Sequence, residues 1–172
     1  MTHCEFAPAT LSCQTSWKNG TGTGMPELRP PRNQFELATL HDLRDTVLFK
    51  GRGRSGYDRH HPDDQSPDNH FMGFWQDGEL LGTLRVDFLT DETAALRWVA
   101  VEPRLQRHGI GRKMVTAAER VISAAGCRRV VTKAAIDAVQ FYSQLGYEEA
   151  HWDDPGAGAG ETIVPMQKQL SP

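Results

Sequence analysis

Between residues 94 and 125 a strand-like run passes through a glycine loop into an amphipathic helix, and few folds accommodate that order. Val99-Ala100-Val101-Glu102-Pro103 closes a strand beginning near Ala94, and Gln106-Arg107-His108-Gly109-Ile110-Gly111-Arg112 follows it. Ile110, Met114, Val115, Ala118, Val121, Ile122 and Ala125 then share one stripe at helical spacing, and Gly126 reads as the stop. Backbone N–H groups at a helix start have no internal partners and carry partial positive charge. Glycine lets an anion approach them closely, and Arg107, His108, Arg112 and Lys113 add charge of the same sign. The loop is therefore a candidate phosphate site, with an ordinary helix-entry turn as the alternative. A dinucleotide fingerprint does not fit, because Met114 stands at its third glycine, and the Gly-Lys-Ser/Thr of a P-loop is missing.

The remaining pattern predicts one domain over 33–172 behind an N-terminal tail, residues 1–32, expected to be disordered. That tail is rich in Ser, Thr, Gly and Pro, and Met25 just before the patterned region is a candidate natural start. Phe35 to Leu40 reads as a strand and His41 to Phe49 as a helix. Lys50 to Asn69 is a long polar segment of the kind that often carries function. His70 to Trp75 and Leu80 to Phe88 form strands joined at Asp77-Gly78, a type I′ hairpin signal. Leu84, Val86 and Phe88 point to one face, and Thr83, Arg85 and Asp87 to the other. Further strands are expected at Ala94–Val101, Arg128–Lys133, Tyr147–Trp152 and Thr162–Leu170. Asp137 is the expected cap of a last helix reaching Leu145. The order is mixed α/β with a largely antiparallel first half.

A second motif, Ala138-Val139-Gln140-Phe141-Tyr142-Ser143-Gln144-Leu145-Gly146-Tyr147, stands some thirty residues after the glycine loop. Phe141 and Leu145 make an i, i+4 apolar pair before a glycine cap, which any core helix would use. That reading leaves the neighbouring tyrosine unexplained. Taken together, Val-x-Val-x-Pro, Gln-x-x-Gly-x-Gly and A-x-x-F-Y-x-x-L-G-Y, in this order and spacing, resemble the GNAT superfamily of N-acetyltransferases. The resemblance covers about Phe35 to Leu170 and is specific from Val99 to Tyr147. It implies a mixed, mostly antiparallel central sheet flanked by helices, with two splayed parallel strands forming an acyl-CoA cleft.

The resemblance also implies acetyl-CoA as co-substrate and an amine as acceptor. Val99, Ala100 and Val101 would bind the pantetheine arm through their main chain. Gln106, Arg107, His108, Gly109, Ile110, Gly111 and Arg112 would hold the pyrophosphate. Tyr142 matches the family's general acid, the alternative being a residue that only packs against the cofactor. A phenol with a pKa of about 10 is a donor at neutral pH. Many relatives place a carboxylate on the fourth strand as base, where this chain has Arg97 and Trp98. His70, Asp87 and Glu102 are the candidate bases, beside a water route with no dedicated base. Ala135 stands where many relatives carry an asparagine that contacts CoA. The acids Asp63 and Asp64 are expected to greet a cationic acceptor.

A net charge of −3 argues against a dedicated nucleic-acid or membrane-surface binder. Three cysteines, Cys4, Cys13 and Cys127, form no CxxC pair, which fits a reducing compartment and a cytoplasmic location. No run is long enough to span a bilayer, and no secretory signal pattern opens the chain. His60, His61, Asp63, Asp64 and His70 match no metal-ligand spacing, so no metal is expected. Family members are often dimers, and Phe71, Phe74 and Trp75 suit either an interface or the core. The rival readings are a non-catalytic acyl-CoA sensor, an acyltransferase for longer chains or hydroxyl acceptors, and a plain nucleotide binder.

Overall fold

A computed structural model describes residues 24–154 and 163–171. Seven strands form one sheet: β1 (Glu27–Arg29), β2 (Asn69–Gln76), β3 (Glu79–Thr90), β4 (Thr93–Val101), β5 (Arg129–Ala135), β6 (Glu148–Glu149) and β7 (Ile163–Gln169). Their spatial order is β1-β2-β3-β4-β5-β7-β6. Every neighbouring pair is antiparallel except β4 and β5, which run parallel. Three helices flank the sheet: α1 (Gln34–Arg44), α2 (Ile110–Ala124) and α3 (Val139–Ser143). This is the mixed, mostly antiparallel architecture expected from the motifs.

The two faces of the sheet are chemically different. Leu84, Val86, Ala94, Leu96 and Val130 meet Met114, Val115, Ala118 and Ile122 of α2 in the main apolar core. Gly82 lets α2 come close: a Cβ there would stand 2.9 Å from the Met114 sulfur and from the Ala100 carbonyl oxygen. The opposite face carries Phe71, Arg85, Asp87 and Arg97, with Phe71 opposite Arg85 and Arg85 opposite Arg97 in the ladders. Helix α1 lies over this face, and the buried Arg44 guanidinium stacks 4.2 Å from the Phe71 ring centroid.

Several local expectations are corrected. Phe35–Leu40 is helical and begins α1, because Asn33 caps it: its side chain accepts from the Glu36 N–H at 2.9 Å. Glu36 in turn accepts from the Arg32 N–H at 2.7 Å, a near relative of the capping box. The helix then widens into a π-helical turn, Asp45–Phe49. The expected tail reached residue 32, yet Glu27–Arg29 pairs with Gly73–Trp75, and Arg29 bonds Glu36 at 2.7 and 3.0 Å. Residues 1–23 of the tail lie outside the described residues. Asp137 does not cap α3; it pairs with Arg52 at 3.2 Å. The strand expected at Tyr147–Trp152 shrinks to Glu148–Glu149. Of the Gly/Ala loop that the sequence suggests at 153–160, only Asp153 and Asp154 fall within the described residues.

Leu84 is fully buried between β3 and α2. Leu84→Ala should lower unfolding free energy by about 2–5 kcal/mol in urea denaturation, through lost transfer energy and a residual cavity. A loss below about 1 kcal/mol would mean the core collapses around the site.

Candidate active site

The site begins where β4 and β5 part. Their parallel pairing runs from Thr93–Arg129 to Leu96–Thr132 and goes no further, though β4 continues to Val101 and β5 to Ala135. The Thr132 hydroxyl donates to the Leu96 carbonyl at 2.9 Å, closing the ladder at the crotch of the fork. Just beyond, β4 bulges. Arg85 faces Arg97 and Thr83 faces Ala100, so three steps on β4 match two on β3. Trp98 is the extra residue, with φ of 53°, a backbone state that costs a non-glycine residue roughly 1–3 kcal/mol. Its ring stacks on Phe49, centroids 5.9 Å apart. The extra residue restores Val99 and Val101 to the core-facing side of the strand.

A cleft of about 320 Å³ occupies the fork. Tyr142 of α3 forms part of its wall, together with Val99, Ala134 and Ala135. The Tyr142 side chain is only 4% exposed and its ring meets Tyr147 edge-on at 5.3 Å. Burial pushes its pKa up to about 12, opposed by a hydrogen bond with Thr132. The phenol therefore holds its proton throughout the physiological range. Gly146, with φ of 87°, ends the segment, and the N–H groups of Leu145 and Tyr147 both donate to the Tyr142 carbonyl.

The glycine loop supplies the second component. Gly109 is the N-cap of α2 in the left-handed region, φ of 79°, and no described side chain caps the helix. The first bond into the helix runs from the Lys113 N–H to the Gly109 carbonyl, so the N–H groups before it have no helical acceptor. Arg107 is also left-handed, φ of 63°. Left-handed residues alternating with ordinary ones curl successive N–H groups into a concavity that suits an anion. The Gln106 side chain donates to the Val101 carbonyl at 3.1 Å, and the His108 ring meets the Gln106 carbonyl at 2.7 Å, fixing the loop to the end of β4. A Cβ at Gly111 would stand 3.3 Å from the Phe141 ring and 3.5 Å from Val101, so this glycine lets the helix start nestle against α3.

A row of alternating charges crosses the polar face of the sheet into the cleft. Arg85 donates to Asp64 at 2.6 Å and to both oxygens of Asp87 at 2.7 and 2.8 Å. Arg97 donates to Asp87 at 2.6 Å and to both oxygens of Asp154, one at 2.9 Å. Lys133 closes the row 3.0 Å from Asp154, and Arg44 stands 3.9 Å from Asp64 at its other end. Burial alone would weaken the guanidinium charges of Arg85 and Arg97. Their carboxylate partners outweigh it and hold both pKa values above the usual one. Arg44 is pulled down to about 10 by burial, which the Tyr57 phenol and the more distant Asp64 offset only in part.

The structure brings Tyr142, Val99 and the fork together, with the glycine loop anchored to the same strand. It does not bring the three candidate bases to the cleft wall. His70 sits on β2 with its ring edge-on to Phe88, centroids 5.3 Å apart. Asp87 is 4% exposed and held between two arginines. Glu102 borders a separate groove beside α1. Asp64, expected to face a cationic acceptor, is turned inward onto Arg85. No three His, Cys, Asp or Glu side chains gather as a metal-ligand set among the described residues. No described helix is long and apolar enough to cross a membrane. Sequence reasoning passed over Lys133, Asp154 and Arg52, which line the cleft. The alternation of Arg85 and Asp87 within a strand was the one available signal of a buried charged face.

Comparison with known proteins points the same way. The model of the acetyltransferase (GNAT) family matches residues 37–147. The fold is similar to an acetyltransferase from Streptococcus agalactiae, with a TM-score of 0.70 at 18% identity over 84% of this chain and 98% of that one. An aminoglycoside 6′-N-acetyltransferase complexed with coenzyme A superposes with a TM-score of 0.68 at 16% identity, covering 87% and 98%. An acyl-CoA N-acyltransferase from Pseudomonas aeruginosa gives 0.68 at 18% identity, covering 83% and 97%. At these identities the structures speak for the fold.

Asp87 is the carboxylate on which two arginines converge. Asp87→Ala should cost about 3–5 kcal/mol of stability, since removing one member of a buried pair strands the opposite charges. Urea denaturation reads this, and a loss below about 1 kcal/mol would show that water screens the row.

Proposed function

The chain belongs to the GNAT acetyltransferase family, and from that premise we propose that it moves the acetyl group of acetyl-CoA to a primary amine of a small molecule or protein. The observation that carries this reading is the open fork: β4 and β5 part after Leu96 and Thr132, and a buried, protonated Tyr142 borders the gap. Beyond Leu96 the edge of β4 toward β5 has no ladder partner among the described residues, and an extended pantetheine arm is the kind of chain that would fill it along Val99, Ala100 and Val101. The N–H groups of Arg107 through Arg112, with Gln106 bracing the loop, receive the pyrophosphate.

With the thioester held in the fork, the acceptor nitrogen adds to the acetyl carbonyl and the C–S bond then breaks. A β4 N–H at the bulge, such as that of Val99, is placed to steady the oxyanion. Tyr142 gives its proton to the leaving thiolate and regains one from the nitrogen through solvent. Holding both reactants in one cleft supplies much of the rate. His70 is set aside as base, because its ring packs on Phe88 away from the cleft wall. No carboxylate in the row is well placed to replace it, since Asp87 and Asp154 are both bound by cations. Proton loss from the acceptor to water fits this arrangement better.

Calorimetry with acetyl-CoA, run beside thiol release against a panel of amines, tests the assignment. Absence of acetyl-CoA binding would remove it. Binding with no amine consumed would favour the sensor reading. Tyr142→Phe should lower kcat by about 100-fold or more while leaving acetyl-CoA affinity within about twofold. An unchanged kcat would leave Tyr142 as packing alone. The protonated phenol is the active form and its pKa is about 12. The kcat profile should therefore show no alkaline fall due to Tyr142 until pH nears that value. A fall centred near pH 8 that disappears in Tyr142→Phe would contradict the burial argument.

A further inference from the structure

The acceptor half of the cleft has a charge pattern opposite to the one expected from Asp63 and Asp64. Five described cations line the cleft: Arg52, Arg54, Arg85, Arg97 and Lys133. The acids among the described lining residues are Asp63 and Asp154. Asp154 is almost wholly buried, with its oxygens engaged by Arg97 and Lys133. Asp63 sits at the rim with its side chain about half exposed, 3.7 Å from His61. Asp137, outside the lining, is taken up by Arg52.

The row that forms the floor does not balance. Arg44, Arg85, Arg97 and Lys133 alternate with Asp64, Asp87 and Asp154, so four cations meet three carboxylates. The least partnered of the four, Arg44, is buried at the far end of the row, so the three cations nearer the cleft match three carboxylates, and what the cleft end offers is unused donors. Lys133 uses one of its three donors on Asp154, and its side chain is 21% exposed. Arg97 directs Nε to Asp87 and one bond from each terminal nitrogen to Asp154, which leaves a second N–H on each of those nitrogens. In a partly desolvated pocket such unused cationic donors take an anionic acceptor in preference to a second cation.

Resting on the acetyltransferase reading above, we infer that the amine acceptor carries an acidic group close to the reacting nitrogen, and that Lys133 and Arg97 receive that group. Amino-acid-like acceptors fit, and polyamines do not. The same cations favour the neutral form of the bound amine over its ammonium. That eases the loss of the proton in a cleft whose carboxylates are already engaged.

The test measures kcat/KM by thiol release for matched acceptors: free amino acids beside their carboxamides, phosphoethanolamine beside ethanolamine, and spermidine. Acetyl-CoA affinity is measured in parallel by calorimetry. The acidic member of a pair should be preferred by about 10- to 100-fold, the range for a charge-assisted bond. The pair that shows the preference tells carboxylate from phosphate. Lys133→Met should shrink this ratio chiefly through acceptor KM, with acetyl-CoA affinity as its folding control. Spermidine or the carboxamides consumed as well as or better than the acids would overturn the inference and leave the transferase reading intact. So would an undiminished ratio in both Lys133→Met and Arg97→Gln proteins that still bind acetyl-CoA. Acetyl-CoA binding with no amine of either class consumed would count against both readings, and failure to bind acetyl-CoA would remove the premise of each.

Discussion

The parting of β4 from β5 is the constraint around which the rest of this molecule is arranged. Two parallel strands that stay paired have no room between them. Here the ladder stops at Leu96 and Thr132, the Thr132 hydroxyl takes the last carbonyl, and the bulge at Trp98 turns β4 aside. A parallel pair also needs a long crossover, and α2 supplies it. The glycine loop must therefore open that helix at the end of the very strand that leaves the fork. Site and crossover are consequences of one topology.

The second dependence is electrostatic. A sheet covered on both faces is normally apolar throughout, yet on the side away from α2 β3 buries Arg85 and Asp87, and β4 sets the partly buried Arg97 beside them. Arg85 and Arg97 face each other across the ladder, and they are tolerated because Asp87 accepts from both while Asp64 and Asp154 reach in from two loops. The loop carrying Asp64 and the one carrying Asp154 are thereby tied to the sheet at either side of the cleft. The row contributes shape as much as stability: it fixes where the segments bordering the acceptor space can lie.

Much of the architecture was legible in residue patterns. The β2–β3 hairpin followed from Asp77-Gly78, the length of α2 from its stripe and Gly126, and the family from two motifs in order. Helix α1 was misread because Phe35-x-Leu37-x-x-Leu40 satisfies a short strand as well as a helix. Phe35 proves to be exposed. The deciding signal was present in Asn33-x-x-Glu36, where cap and carboxylate satisfy backbone donors that a strand would not leave open. The end of the tail was misplaced for a different reason: Glu27–Arg29 is a strand only because β2 offers an edge and Glu36 holds Arg29.

The acceptor side shows where one-dimensional reading stops. Local rules of spacing, periodicity and backbone preference specified the glycine loop, the tyrosine after Phe141 and the strand–helix order, since each is encoded within a few neighbouring residues. Asp64, Arg85, Asp87, Arg97, Lys133 and Asp154 span ninety residues of sequence. Their charges meet only after five segments are stacked. Coulomb interactions depend on distance through space and on burial, and the chain order of these residues specifies neither. Tertiary structure therefore turned Asp64 into a buried counter-ion of Arg85, left Asp63 at the rim, and set the unused donors of Lys133 and Arg97 at the cleft wall.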